Sequence, residues 1–348
     1  MSKIMTGNYF EDFRIGQELK HATPRTVTVG DAALYQALYG SRFAVTSGAT
    51  FAADLGCDRM PLDSMLVFHM VFGKTVPDVS LNAVANLGYA GGVFGAPVYP
   101  GDTLTTTSEV IGLKENSNGK TGVVYVHSVG VNQDGATVLD YNRWVMVHKK
   151  DASAPTPETV VPNLPTSVGV DALTVPYTIS TYDTELAGSP YLWDDYAAGE
   201  RIDHVDGMTI EEAEHMMATR LYQNTAKVHF NQHVEGQGRN GRRIVYGGHV
   251  ISLARALSFN GLGNALSIAA INGGTHCNPT FAGHTVYAWS EVLDRMELPG
   301  RSDVGALRVR TVATKDLACA DFPYKGEDGK YLPEVVLDFD YTVLMPRR

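Results

Sequence analysis

The chain has 348 residues, 44% of them hydrophobic and 19% charged, with 28 Lys and Arg against 38 Asp and Glu for a formal net charge of −10. These figures describe a globular chain with material for about two domains of roughly 150 residues. The acidic balance excludes a broad nucleic-acid-binding surface.

At the N-terminus, "MSKIMTGNYFEDF" lacks the apolar stretch of a signal peptide. A turn-bounded strand follows around Gly16, then a short helix, Asp31 to Tyr39, and a variable loop, "LYGSRFAVTSGAT", Leu38 to Thr50. The most apolar run, "MLVFHMVFGKTV" from Met65, belongs to a second helix, Ser64 to Phe72; it is too short to span a membrane and carries His69 and Lys74. "APVYPGDTL" then leads into strands with period-2 alternation, "VVYVHSVGV" and "LDYNRWVMV". The stretch "DASAPTPETVVPNLPT" holds four prolines, which disfavour helix and central strand, so residues 151–188 read as a linker.

After the linker the same order returns. "FEDFRIGQEL" from Phe10 matches "WDDYAAGERI" from Trp193 at an offset of 183, and Leu38-Tyr39 matches Leu221-Tyr222 at the same offset. "APVYPGDTL" faces "NPTFAGHTV" at 182, and Ser108-Glu109-Val110 recurs as Ser290-Glu291-Val292. "LDYNRWVMV" matches "LDFDYTVLM" at 198, so the second copy carries about fifteen extra residues within "KDLACADFPYKGEDGKYLP". A near-constant offset over most of the chain indicates a duplicated domain, residues 1–150 and 189–348. In each copy, turn-separated strands follow one apolar helix, which predicts an α+β unit with an antiparallel sheet wrapped around that helix. Two such units can join their sheets edge to edge.

"PVYPGDTL", the duplicated pattern and a histidine-bearing loop, "LYQNTAKVHFNQH", resemble the MaoC-like, (R)-specific enoyl-CoA hydratase family. The resemblance implies a tandem (double) hot-dog fold, a hydro-lyase acting on an acyl-CoA, no cofactor beyond the CoA of the substrate, and a cytoplasmic homo-oligomer without nucleic-acid or membrane partners. The family signature, Gly-Asp-x-Asn-Pro-hydrophobic-His, falls on Gln223, Asn224, Thr225, Ala226, Lys227, Val228 and His229. Its helix start falls on Val245, Tyr246, Gly247 and Gly248, and a small polar helix residue falls on Ser252. In the first copy the histidine position is Thr46 and the aspartate position is Ser41.

Hydrating an α,β-unsaturated thioester requires a polarised carbonyl, a deprotonated water and a proton for Cα. The helix beginning at Gly247-Gly248 offers free N–H groups for the carbonyl. His229 is the candidate acid–base group, and Asn224 can orient water but cannot take its proton. A neutral Asn224 suits a substrate with its own carboxylate. The overall likeness within that family implies a branched, dicarboxylic enoyl-CoA as substrate, against two alternatives: a dehydratase for monocarboxylic 3-hydroxyacyl-CoAs and a non-catalytic acyl-CoA binder. Basic residues cluster nearby at Arg220, Lys227, Arg239, Arg242 and Arg243, of which Arg243, Arg242 and Lys227 are the candidate CoA or carboxylate contacts.

Other patterns point to less. "GQGRNG" from Gly236 follows a polar loop rather than a strand, which argues against dinucleotide binding. His229 and His233 lack a third ligand at matching spacing, so no metal site is expected. Cys57, Cys277 and Cys319 have no paired spacing and read as thiols in a reducing compartment.

Overall fold

The computed structural model describes residues 3–238 and 240–348, so the predicted basic residue Arg239 lies outside the described residues. Its strands are β1 (Glu18–Thr26), β2 (Ala83–Phe94), β3 (Thr103–Glu115), β4 (Thr121–Val131) and β5 (Thr137–His148) in the first copy. The second copy supplies β6 (Arg201–Asp203), β7 (Met208–Thr209), β8 (Ser267–His276), β9 (Thr285–Glu297), β10 (Val304–Lys315) and β11 (Val335–Pro346). All pair antiparallel in one sheet of order β1-β3-β4-β5-β2-β8-β11-β10-β9-β6, with β7 on β9. The copies meet where β2 pairs with β8, Tyr89 opposite Gly274 and Val93 opposite Ala270. Each copy's otherwise open strand edge is covered by the other.

The two central helices are the apolar ones foreseen. The first runs over Ser64–Thr75 and is buried from Met65 to Thr75, as a helix without a polar face must be. The second spans Gly247–Leu257 and is buried from Gly248 on. Beyond it Asn260 and Gly261 leave helical geometry. The smaller helices span Val29–Tyr39 and Glu212–Leu221. Thr28 caps the first of these through its hydroxyl, which accepts from Asp31 N–H, and Gly40 closes it with a left-handed φ of 59°.

Residues equivalent by the duplication touch each other along the interface. The Tyr39 and Tyr222 hydroxyls lie 2.8 Å apart, and His69 Nε2 lies 2.9 Å from Ser252 Oγ. Both pairs are separated by 183 residues, the repeat offset itself, which places them about a pseudo-twofold axis. Tyr35 donates to the same Ser252 hydroxyl, and Tyr39 reaches His249 Nδ1. This buried network keeps every member partnered, as a low-dielectric interior demands.

Residues 151–188 cross the sheet rather than hang from it. Val160 bridges to Leu113 of β3, and Val168 N–H donates to Asn272 Oδ1 of β8. The insertion after β10 folds over Trp289, whose Nε1 donates to Pro323 O, while Tyr324 and Tyr331 both donate to Asp338. No helix among the described residues is long and apolar enough to cross a membrane.

Candidate active site

A cavity of about 310 Å³ lies between the two copies. Its second-copy wall includes Asn224, His229, Tyr246, Gly247 and His276; its first-copy wall includes Phe72, Ala83 to Asn86, Tyr89 and Arg143. The volume falls at the small end of ordinary small-molecule sites, roughly 300–1,000 Å³.

The histidine loop is held by short-range bonds. Gln223 takes a left-handed φ of 52°, at the position where the resemblance has glycine, and Lys74 of the first copy donates to its side chain. The buried Asn224 then accepts Ala226 N–H at 2.9 Å through Oδ1, so part of its acceptor capacity serves the turn. A 3₁₀ turn over Lys227–His229 follows, and Ile244 N–H donates to Val228 O, tying the loop to the segment before the second central helix. His229 Nδ1 donates to Ile244 O at 2.9 Å. A carbonyl only accepts, so this bond places the ring proton on Nδ1 and leaves the Nε2 lone pair free. Burial pushes the imidazole down to about 4, so at neutral pH it is an uncharged base.

The duplication gives an internal comparison for the helix start. In the first copy, Asp63 caps the central helix, its carboxylate accepting Met65 N–H at 2.8 Å. The equivalent residue in the second copy is Tyr246, which makes no side-chain cap. The N–H groups of Gly247 and Gly248, unpaired within the helix by geometry, therefore stay without a side-chain cap; Gly247 lines the cavity, whereas Gly248 sits just behind its wall against Tyr246 and His69. Where the histidine is missing, at Thr46, only a pocket of about 20 Å³ remains beside Asp63. Thus one copy has a closed helix end without histidine, and the other an open helix end with it.

Gly247 and Gly248 both lack room for a side chain. A Cβ at Gly247 would stand 2.4 Å from His276 Cε1, and one at Gly248 would stand 2.5 Å from His69 Cε1. His276 and Tyr89 were not foreseen as site residues. His276 Nε2 lies 3.1 Å from the Tyr89 hydroxyl of the first copy, and burial lowers its imidazole to about 4, with His229 adding to the effect. Tyr246 sets its ring edgewise to His229, with centroids 5.5 Å apart.

The basic candidates sit elsewhere. Arg243 does not line the cavity; its guanidinium is taken by Glu212 and Met216 on the preceding helix. Arg242 is exposed and packs over Phe281, 4.2 Å from the ring centre. Lys227 is also exposed, although its neighbours Ala226 and Val228 line the cavity. Ser252 belongs to the buried inter-copy network, not to the cavity wall. The cation that does line the cavity is Arg143 of β5, fully buried and missed by sequence reasoning. Its signal was present: on a strand whose buried face holds Leu139, Tyr141, Val145 and Val147, one inward position is an arginine. Among the described residues, no group of three or more His, Cys, Asp or Glu is placed to hold a metal ion.

The chain is 72% identical to a β-methylmalyl-CoA dehydratase of Chloroflexus aurantiacus, covering 100% of this chain and 99% of that one. It is 58% identical to a mesaconyl-CoA hydratase of Cereibacter sphaeroides, covering 99% and 100%. Its structure superposes with a TM-score of 0.99 on the crystal structure of a MaoC domain protein dehydratase from Chloroflexus aurantiacus, over all of both chains at 72% identity. A double-hotdog-fold protein of Mycobacterium tuberculosis gives a TM-score of 0.77 at 25% identity, covering 98% and 99%. The fold is thus the double hot dog. A family model described as mesaconyl-CoA hydratase matches residues 2–320, and the chain belongs to that family.

Proposed function

We propose that this protein catalyses the reversible addition of water to mesaconyl-CoA, forming β-methylmalyl-CoA, at the cavity between its two copies. The observation that carries the reading is the asymmetry of the duplication. An uncapped helix start and a neutral histidine open onto a cavity in one copy, while the equivalent positions in the other are filled by Asp63 and Thr46.

The chemistry follows from these groups. The thioester oxygen accepts from the Gly247 and Gly248 N–H groups, whose dipole end favours the negative charge of an enolate. His229 Nε2 takes a proton from a water as the water oxygen bonds to Cβ, and the π electrons move onto the thioester oxygen. The imidazolium then returns its proton to Cα, the enolate collapses, and His229 is neutral again. Asn224 orients the water through its amide without adding charge beside the substrate's carboxylate. The phosphates of CoA would meet Arg242 and Lys227 outside the cavity, together with Lys315, whose Nζ donates to Pro279 O at the rim.

Incubating the purified protein with mesaconyl-CoA, crotonyl-CoA and a longer monocarboxylic enoyl-CoA, and following loss of the conjugated enoyl absorbance, tests the reading. Fastest turnover is expected with mesaconyl-CoA. Turnover of the monocarboxylic thioesters alone would favour the 3-hydroxyacyl-CoA dehydratase. Binding without turnover of any would favour the non-catalytic binder.

A further inference from the structure

We infer that Arg143 binds the free carboxylate of the substrate and thereby sets the preference of the cavity for dicarboxylic enoyl thioesters; this rests on the hydratase reading above. Arg143 lies on the inward face of β5, between Tyr141 and Val145, with no solvent exposure, and it lines the cavity that also holds His229 and Asn224.

Its surroundings are those of a charge awaiting a counterion. Nη2 donates to Thr75 Oγ1 at 2.7 Å and Ser80 Oγ at 3.3 Å, and Nη1 donates to Asn86 Oδ1 at 3.3 Å. The guanidinium also lies 4.3 Å from the centre of the Phe72 ring. Every one of these partners is neutral. Arg143 makes no ion pair among the described residues, whereas Arg25, Arg301 and Arg308 each hold an aspartate. Two buried donors here lack any acceptor, Arg143 Nε and Asn86 Nδ2. A buried guanidinium without a carboxylate is costly in a low-dielectric interior, and a bound carboxylate would offset that cost with charge-assisted hydrogen bonds.

The duplication shows that the fold itself does not need this cation. The equivalent of Arg143 in the second copy is Tyr341, equally buried, whose hydroxyl is bonded to Thr311. The two copies have therefore exchanged roles. The first replaced the loop histidine with Thr46 and placed an arginine on β5; the second kept His229 and has a tyrosine there. Joining β2 to β8 brings the arginine of one and the histidine of the other to a single cavity.

The test compares kcat/KM for mesaconyl-CoA with that for (E)-2-methylcrotonyl-CoA, the same skeleton with methyl in place of carboxylate, in wild type, R143K and R143Q. The ratio of the two should favour mesaconyl-CoA in wild type, fall by about a hundredfold in R143Q and recover in part in R143K, chiefly through KM. Equal losses on both substrates in R143Q, or an unchanged ratio, would overturn the inference. Should R143Q fail to fold, the wild-type protein decides through inhibition by methylsuccinyl-CoA and its terminal carboxamide. An amide at least tenfold weaker supports carboxylate capture, and equal inhibition refutes it. Wild-type protein that hydrates 2-methylcrotonyl-CoA as fast as mesaconyl-CoA leaves the hydratase reading standing and removes the role of Arg143. Protein that hydrates neither, yet prefers the carboxylate inhibitor, removes the hydratase reading and keeps the anion site.

Discussion

Replacing Gly247 with alanine adds one methyl group at the point where the helix start, the cavity and the inter-copy contact coincide. The added Cβ would stand 2.4 Å from His276 Cε1, 2.5 Å from Nδ1 and 2.7 Å from Nε2, so the ring or the helix start must move. The ring is not free to swing away, because His276 Nε2 is tied to the Tyr89 hydroxyl across the copies. Overpacking of this kind costs about 1–3 kcal/mol, partly offset by the gain of up to about 1 kcal/mol that alanine brings to a helix. Melting should therefore fall by only a few degrees. Catalysis should suffer far more, since displacing one donor to a developing oxyanion costs about 10²–10³ in kcat. Steady-state kinetics on mesaconyl-CoA beside a thermal melt separates the two effects. A variant with wild-type kcat would show that the Gly247 end of the helix does not hold the thioester oxygen.

Three further outcomes follow from the same geometry. Asn224→Asp should lower kcat/KM for the dicarboxylic substrate at least tenfold, because a second carboxylate about 4 Å away costs roughly 4 kcal/mol at an effective dielectric near 20; faster turnover would refute the repulsion argument. Gly73→Ala should lose both stability and activity, because its Cβ would stand 2.0 Å from the Tyr222 carbonyl, backbone that anchors the loop carrying Asn224; normal melting and kinetics would contradict it. Burial lowers His204 to about 4 and His249 to about 3 from 6.5. The unfolded chain takes up these protons first, so stability is complete above about pH 6.5 and is lost as pH falls toward 4, on the order of 3 kcal/mol for His204 alone. Melting temperatures measured from pH 7.5 to 4.5 should fall steadily over that window, and a flat profile would refute this account of acid sensitivity.

The fold was largely legible in the sequence because a duplication repeats its evidence. The offset of 183 that joins Leu38-Tyr39 to Leu221-Tyr222 reappears as the contact between Tyr39 and Tyr222. The half of the site that lies close in sequence, His229 with Gly247, was also legible, since Ile244 carries the loop directly to the helix start. The other half was not. Arg143 reaches the same cavity only because β2 and β8 pair, a long-range contact that no local pattern records. Arg243 misled for the opposite reason: it is near the loop in sequence, but Glu212 competes for its guanidinium from the neighbouring helix. The loop "LYGSRFAVTSGAT" supplies no residue to the wall of the cavity. Instead the first copy contributes the end of its central helix and strands β2 and β5, while Thr46 lines the small closed pocket.

We propose that His229, a neutral base with its proton held on Nδ1, activates water in a cavity built by both copies. Turnover of mesaconyl-CoA by His229→Gln against wild type tests it most directly. A loss of about 10²–10⁴ in kcat is expected, with the melting temperature little changed. A folded variant turning over at the wild-type rate would contradict it.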